Sequence, residues 1–219
     1  YEGLNVGGNE GQTGLITYMS TDSVNLSNKA LDDAKMVIGE QFGREYILSS
    51  PRVFNKKSKG AQEAHEAIRP TELSRTPASL KGTLDHQQLK LYTLIWNRTL
   101  ACQMASAELK RVGADLTAKQ YGFRATGQTV TFDGYLRVYK EGQDESNDAK
   151  RTDQTDDGEK LLPPLTEGDS VKCNELLPEQ HFTKPPPRYT EASLVKKLEE
   201  EGIGRPSTYA PTISTVQQR

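Results

Sequence analysis

The sequence predicts an α+β fold: a helical part, then a β-rich part, then a second helical part. Three observations lead there. Apolar residues recur at helical spacing in 30–42, 85–104 and 190–201. The stretch 109–139 between them reads as strands broken by glycine. Hydrophobic residues make up only 34% of the 219, and no run approaches the roughly 18 apolar residues of a membrane helix. That length is ample for one or two compact domains with a buried core.

The elements follow in order. Residues 1–14 are glycine-rich and polar and read as a loop, followed by a short extended stretch from Gly14 to Met19. Ser27 caps a helix whose inward residues are Ala30, Leu31, Ala34, Val37, Ile38 and Phe42, and Gly43 stops it. Residues 44–60 are polar and basic and are expected to be mobile. Ala61 to Ile68 predicts a short helical turn stopped by Pro70. Asp85 caps a strong helix through Leu89, Tyr92, Ile95, Trp96, Leu100 and Met104. Strands are expected over 109–117, 121–128, 130–139 and 171–177, with turns at Gly113, Gly127 and Asp133-Gly134. Residues 141–169 are acidic and read as loop or disordered. Lys184 to Arg188 is a stiff connector. Thr190 caps a helix with Leu194, Val195 and Leu198 inward, ended by Gly202-Ile203-Gly204. A last helix starts near Ser207 or Thr208, with Pro211 in its first turn.

Charge and cysteine content narrow the class. The chain has 28 Lys+Arg and 30 Asp+Glu, a net charge of −2. Residues 141–169 alone carry ten acids and three bases, so the remainder is mildly basic, which permits nucleic-acid binding. Cys102 and Cys173 lie far apart and match no zinc or redox spacing, as expected of a reduced intracellular protein. The start, Tyr1-Glu2-Gly3, has no initiator Met and no signal-peptide pattern, and suggests a piece of a longer protein.

Three segments could carry chemistry. In GLITYMSTDS, Tyr18 is followed by Ser20, Thr21, Asp22 and Ser23. These small polar groups either approach a helix cap or hold phosphate oxygens beside a phenolic nucleophile. A phenol is a weak nucleophile at neutral pH and needs a cation, base or metal beside it. In QEAHEAIRPT, His65 and Arg69 are four apart and share a face if helical. They could clamp a phosphate, or the segment is a surface turn with Glu63 and Glu66 paired to nearby bases. In GIGRPSTY, the helix start at Ser207 and Thr208 with Arg205 beside it suits an anion, and Tyr209 could stack on a base. The plainer reading is a capped helix connector.

Together and in this order, GLITYMSTDS, QEAHEAIRPT and RYTEASLVKKLEEEGIGRPSTYAPTIST resemble the type IA DNA topoisomerases, and among them the bacterial branch. The resemblance extends through LIWNRTLACQM and HFTKPPPRYTEASL. It implies ATP-independent relaxation of negatively supercoiled DNA. A tyrosine, here Tyr18, attacks a phosphate of a single strand to give a 5′-phosphotyrosyl bond and a free 3′-hydroxyl. Strand passage and religation follow. It implies that Ser20, Thr21, Asp22 and Ser23, with His65 and Arg69, lie near the scissile phosphate. Arg205, Ser207 and Thr208 hold the incoming strand, and Arg219 extends that patch. The family usually has Arg two residues after the tyrosine, where this sequence has Ser20.

The resemblance also implies an organisation. Residues 1–103 form the helical domain carrying the tyrosine, 104–184 a β-rich arch segment with the acidic insert 141–169, and 185–219 the start of a helical DNA-binding domain. Mg²⁺ is implied in a TOPRIM domain preceding these motifs, with no metal site expected within the 219 residues, so this chain alone is expected not to relax DNA. The implied partners are single-stranded and negatively supercoiled DNA, with no membrane, a monomeric state and a cytoplasmic, nucleoid location. The competing class is a non-enzymatic single-stranded DNA-binding module. Tyrosine recombinases and type IB enzymes place their tyrosine after the basic residues, whereas Tyr18 comes first.

Overall fold

The computed structural model describes residues 1–5, 11–21, 23–54, 66–140, 162–183 and 185–218. The class is α+β. The chain forms two compact units: Tyr1–Ser106, Asp133–Glu141 and Leu198–Arg219 in the first, and Ala107–Phe132 and Gly142–Lys197 in the second.

The first unit is built on two helices. In α1 (Asn28–Gln41) the Ser27 hydroxyl accepts the Ala30 N–H at 3.3 Å, and Ala30, Ala34, Val37 and Ile38 form one buried stripe. Gly43 follows at φ 114°, a conformation that favours glycine, and breaks the helix. In α2 (His86–Gln103), Asp85 and Gln88 close a reciprocal capping box at 2.9 and 3.2 Å. α2 buries Tyr92, Trp96, Leu100 and Ala101 and packs on α1. Leu15, Pro70, Leu73, Leu80 and Met104 complete this core.

Several expectations for this unit are corrected. Residues 1–14 are more than a loop: β1 (Leu4–Asn5) pairs antiparallel with β2 (Gln12–Thr13). Residues 44–54 are docked, not loose. Arg44–Tyr46 form a 3₁₀ turn, Ile47 bridges Met104, and Arg52 exchanges two 3.0 Å bonds with the Gln103 side chain. The side chain of Arg52 also donates to the carbonyls of Cys102 and Met104 at the end of α2, groups a helix terminus leaves unpaired. The basic run 55–60 lies outside the described residues. So does 61–65 of the expected helical turn, while 66–68 is not helical.

In the second unit, β3 (Glu108–Ala118) and β4 (Tyr121–Phe132) form one long antiparallel hairpin. Gly113 and Gly127 sit inside the strands; the turn is Lys119-Gln120, with Lys119 at φ 56°. The expected break at Gly127 is absent because its partner Val112 continues the ladder. The strand expected over 130–139 ends at Phe132, and Gly134–Arg137 turns as a 3₁₀ helix. Gly134, which belongs to the first unit, lies so close to Ala105 and Ser106 that a Cβ would come within 2.6 Å of their backbone. Residues 171–177 are described without strand pairing. Residues 141–161 of the acidic insert, and Lys184 of the connector, lie outside the described residues.

α3 (Glu191–Glu201) is capped by Thr190, which accepts the Ser193 N–H at 3.2 Å while Ser193 accepts the Thr190 N–H at 2.8 Å. Leu194, Val195 and Leu198 are half-buried. The helix closes with bonds from Gly202 N–H to Glu199 and from Ile203 N–H to Leu198, Gly202 taking φ 70°. α4 is Pro206–Gln217. Its first-turn proline is Pro206; Pro211 lies further in, where it removes one helical N–H.

Candidate functional site

Residues 14–17 run extended beside 67–71. Ile16 bridges Pro70 antiparallel, the Thr17 N–H donates to the Arg69 carbonyl at 2.9 Å, and the Thr71 N–H donates to Leu15 at 3.0 Å. Two threonine hydroxyls fasten the ends. The Thr17 hydroxyl accepts the Arg69 N–H at 3.0 Å and donates to the Ala67 carbonyl at 2.8 Å. The Thr71 hydroxyl donates to Gly14 at 2.7 Å. The chain next to Tyr18 is thus held by both its backbone and a side chain.

Tyr18 emerges from this braced stretch with 48% of its surface exposed. Its ring meets the Tyr1 ring edge to face, with centroids 5.3 Å apart. Its carbonyl accepts the Ser20 N–H at 2.9 Å, which folds residue 20 back over the tyrosine's own backbone. Thr21 is exposed. The Ser23 hydroxyl accepts the Asn25 N–H at 3.2 Å, on the approach to the α1 cap.

The 66–71 loop is itself tied down. The Arg69 guanidinium forks onto the Glu66 carboxylate at 2.8 and 3.0 Å and reaches the Pro70 and Thr71 carbonyls at 2.8 and 3.3 Å. Its side chain is only 12% exposed. Glu66 also accepts the Ser27 N–H at 2.8 Å, and the Ala67 N–H donates to Asn25, so the loop is stitched to the start of α1. Partial burial acts to raise the Glu66 pKa, but the bonds from Arg69 and Ser27 outweigh it and hold the carboxyl below its usual range. From the other side, α2 grips the following residues. Trp96 Nε1 donates to the Leu73 carbonyl at 2.9 Å, and the Tyr92 hydroxyl to the Arg75 carbonyl at 2.7 Å.

The second cluster lies at the start of α4. The Arg205 N–H donates to the Thr208 hydroxyl at 2.9 Å, and both the Thr208 hydroxyl and its N–H turn back to the Arg205 carbonyl. Gly204, at φ 76°, lets Thr208 and Tyr209 close over it; a Cβ there would sit 3.0 Å from the Thr208 hydroxyl. Arg205 and Ser207 are exposed, and the first turn of α4 carries no acid.

The structure therefore brings Tyr18, Ser20 and Arg69 into one braced neighbourhood and gathers Arg205, Ser207 and Thr208 in another. Asp22, His65 and Arg219 lie outside the described residues. Sequence reasoning missed Thr17 and Thr71 as clips and Trp96 and Tyr92 as anchors of the loop. A hydroxyl directly before the tyrosine and another directly after Pro70 were the available signals, but each acts on a partner more than 50 residues away. Among the described residues no group of three His, Cys, Asp or Glu could hold a metal ion, and no helix is long and apolar enough to cross a membrane. Glu66, the acid of this loop, is engaged by Arg69 and Ser27, and the resemblance assigns Mg²⁺ to a TOPRIM domain and not to these residues.

The chain matches a protein-family model described as DNA topoisomerase over residues 1–219. It is 50% identical over 221 residues to DNA topoisomerase 1 of Rickettsia bellii, covering all of this chain and 26% of that protein. It is likewise 50% identical over 217 residues to DNA topoisomerase 1 of Xylella fastidiosa, covering 99% of this chain and 26% of that protein. Among solved structures it is similar to full-length topoisomerase I from Thermotoga maritima. That match has a TM-score of 0.75 and 38% identity, and covers 99% of this chain and 32% of that one. The chain thus spans about a quarter of the length of the curated relatives it matches.

Proposed function

Because the chain belongs to the DNA topoisomerase family, we propose that it is the tyrosine-bearing part of a type IA enzyme that relaxes negatively supercoiled DNA. The Tyr18 phenol oxygen attacks a backbone phosphorus of a single strand. The new O–P bond replaces the bond to the 3′-oxygen, which leaves as a hydroxyl on taking a proton, so the phenol's proton loss is balanced. The 5′-phosphate stays on Tyr18. After strand passage the 3′-hydroxyl attacks the phosphotyrosine and restores both the DNA and the phenol. One phosphodiester is exchanged for another, so no nucleotide is consumed.

The observation that supports this most is the contrast at Tyr18. The phenol stands half exposed while its neighbour Thr17 is fixed by three hydrogen bonds. A nucleophile must be reachable yet held near its line of attack. Ser20, Thr21, Asp22, Ser23 and His65 would line the scissile phosphate. Arg205, Ser207 and Thr208, extended by Arg219, would hold the entering strand through side-chain donors and the N-terminus of α4. Residues 1–103, 104–184 and 185–219 would serve as tyrosine-carrying domain, arch segment and start of the next DNA-binding domain. Mg²⁺ would be held by a TOPRIM domain that precedes these motifs in the whole enzyme. The protein would act as a monomer on nucleoid DNA in the cytoplasm.

The test is Tyr18→Phe in the intact protein. The covalent DNA adduct disappears, while noncovalent affinity for single strands changes by less than about tenfold, since only one hydroxyl is lost. An adduct that survives in this variant places the nucleophile elsewhere. A parent protein that binds single strands and never forms an adduct is a DNA-binding module and no enzyme.

A further inference from the structure

The family pattern casts Arg69 as a fork onto phosphate, but its surroundings support another role. We propose that Arg69 is a positioning residue for Tyr18, acting through Glu66 and Thr17. The inference rests on the reading of Tyr18 as nucleophile.

Of the five N–H donors of a guanidinium, four are already spent on the Glu66 carboxylate and the Pro70 and Thr71 carbonyls. The pair is internally neutral and mostly shielded. To reach DNA, Arg69 would have to release Glu66, leaving a carboxylate held only by the Ser27 N–H beside an anionic strand. Kept where it is, the guanidinium curls 66–71 so that the Arg69 N–H and carbonyl both face Thr17. Glu66 carries the same brace to the cap of α1 through Ser27. Thr17 is the residue next to Tyr18, so the direction in which the phenol leaves the strand is set by this chain of bonds. A shift of about 1 Å in a reacting group costs on the order of 100-fold in rate.

The experiment compares Thr17→Val, Thr17→Ser, Glu66→Gln and Arg69→Gln in the intact protein. Covalent-complex formation on a single-stranded oligonucleotide gives the cleavage rate. Binding of the same oligonucleotide at several salt concentrations is measured with Tyr18→Phe added, so that no cleavage intervenes. Thr17→Val, which keeps the shape and loses the hydroxyl, and Glu66→Gln each slow cleavage by roughly 10–100-fold with affinity nearly constant. Thr17→Ser, which keeps the hydroxyl, restores most of the rate. The salt dependence of binding is the same with Gln as with Arg at position 69.

The proposal is overturned if Arg69→Gln lowers the salt slope by about 0.7, the signature of one lost phosphate contact on a single strand. It is equally overturned if Glu66→Gln steepens the salt slope of binding by about 0.7, which a freed phosphate clamp would do, or if Thr17→Val cleaves at the parent rate. Should Arg69→Gln fail to fold, Glu66→Gln and the two Thr17 variants still decide. A persisting adduct in the Tyr18→Phe protein strikes the nucleophile reading instead, and is seen separately.

Discussion

Trp96→Phe tests how strongly α2 holds the loop that braces Tyr18. Trp96 is 5% exposed, and its Nε1 donates at 2.9 Å to the carbonyl of Leu73, itself only 2% exposed. Phenylalanine fits the space of the six-membered ring but has no donor. An unpaired buried carbonyl costs about 1–3 kcal/mol. The two ring carbons no longer buried add about 1.5 kcal/mol at 0.8 kcal/mol per carbon. The sum is about 2.5–4.5 kcal/mol, which for a chain of this size lowers Tm by roughly 5–18 °C at 2–4 °C per kcal/mol. Calorimetry of the parent and the variant reads this directly. Hydrogen exchange should also speed up first at the Thr71 and Arg69 amides, because the loop loses its anchor two residues beyond Thr71. A Tm shift below about 2 °C, within the range of an ordinary surface substitution, would refute the claim that this bond holds the loop.

Two further outcomes follow from the site and its support. Ser20→Arg in the intact protein should raise the rate of covalent-complex formation by roughly two to three orders of magnitude. A guanidinium can fork onto the attacked phosphate, and one such contact is typically worth about 2.7–4 kcal/mol. Equal rates for the two forms, in a single-turnover cleavage assay, would remove position 20 from the phosphate site. The second concerns Tyr92, whose burial pushes its phenol up to about 12 against a weaker opposing pull from Arg75. The unfolded chain then loses this proton before the folded one does. The contribution of Tyr92 is therefore complete below pH 10 and is lost as pH rises towards 12. Urea unfolding from pH 9 to 12 should show that decline, and Tyr92→Phe should flatten it; an identical decline in both proteins would deny Tyr92 the role.

Much of this fold was legible because its determinants are local. Ser27, Asp85 and Thr190 cap helices by bonding an N–H three residues on. The apolar stripe of α1 repeats with the helical turn. Gly43 and Gly202 stop helices through their own φ angles. Errors arose where local signals compete. Gly127 looks like a turn, yet sits in a strand because Val112 opposite it keeps the ladder intact, while the real turn falls on Lys119, which has no turn chemistry of its own. Residues 44–54 looked like a mobile basic stretch, and Gln103 and Met104, some fifty residues later, fix them.

The site divides in the same way. The sequence by itself determined that Tyr18 belongs to a family motif, because that motif is a contiguous run of side chains. Only the tertiary structure decided what holds Tyr18 in place. The hydroxyl of Thr17 meets the backbone of Ala67 and Arg69, Glu66 meets Ser27, and Trp96 meets Leu73 across 23 to 52 residues of chain. Such bonds depend on where the chain returns in space, and no spacing in the sequence encodes that. The same applies to Arg69. Its identity suggests a phosphate ligand, and only the folded chain shows its donors turned inward onto Glu66 and two carbonyls. A guanidinium binds whichever acceptors the fold brings to it, and here those acceptors are the protein's own.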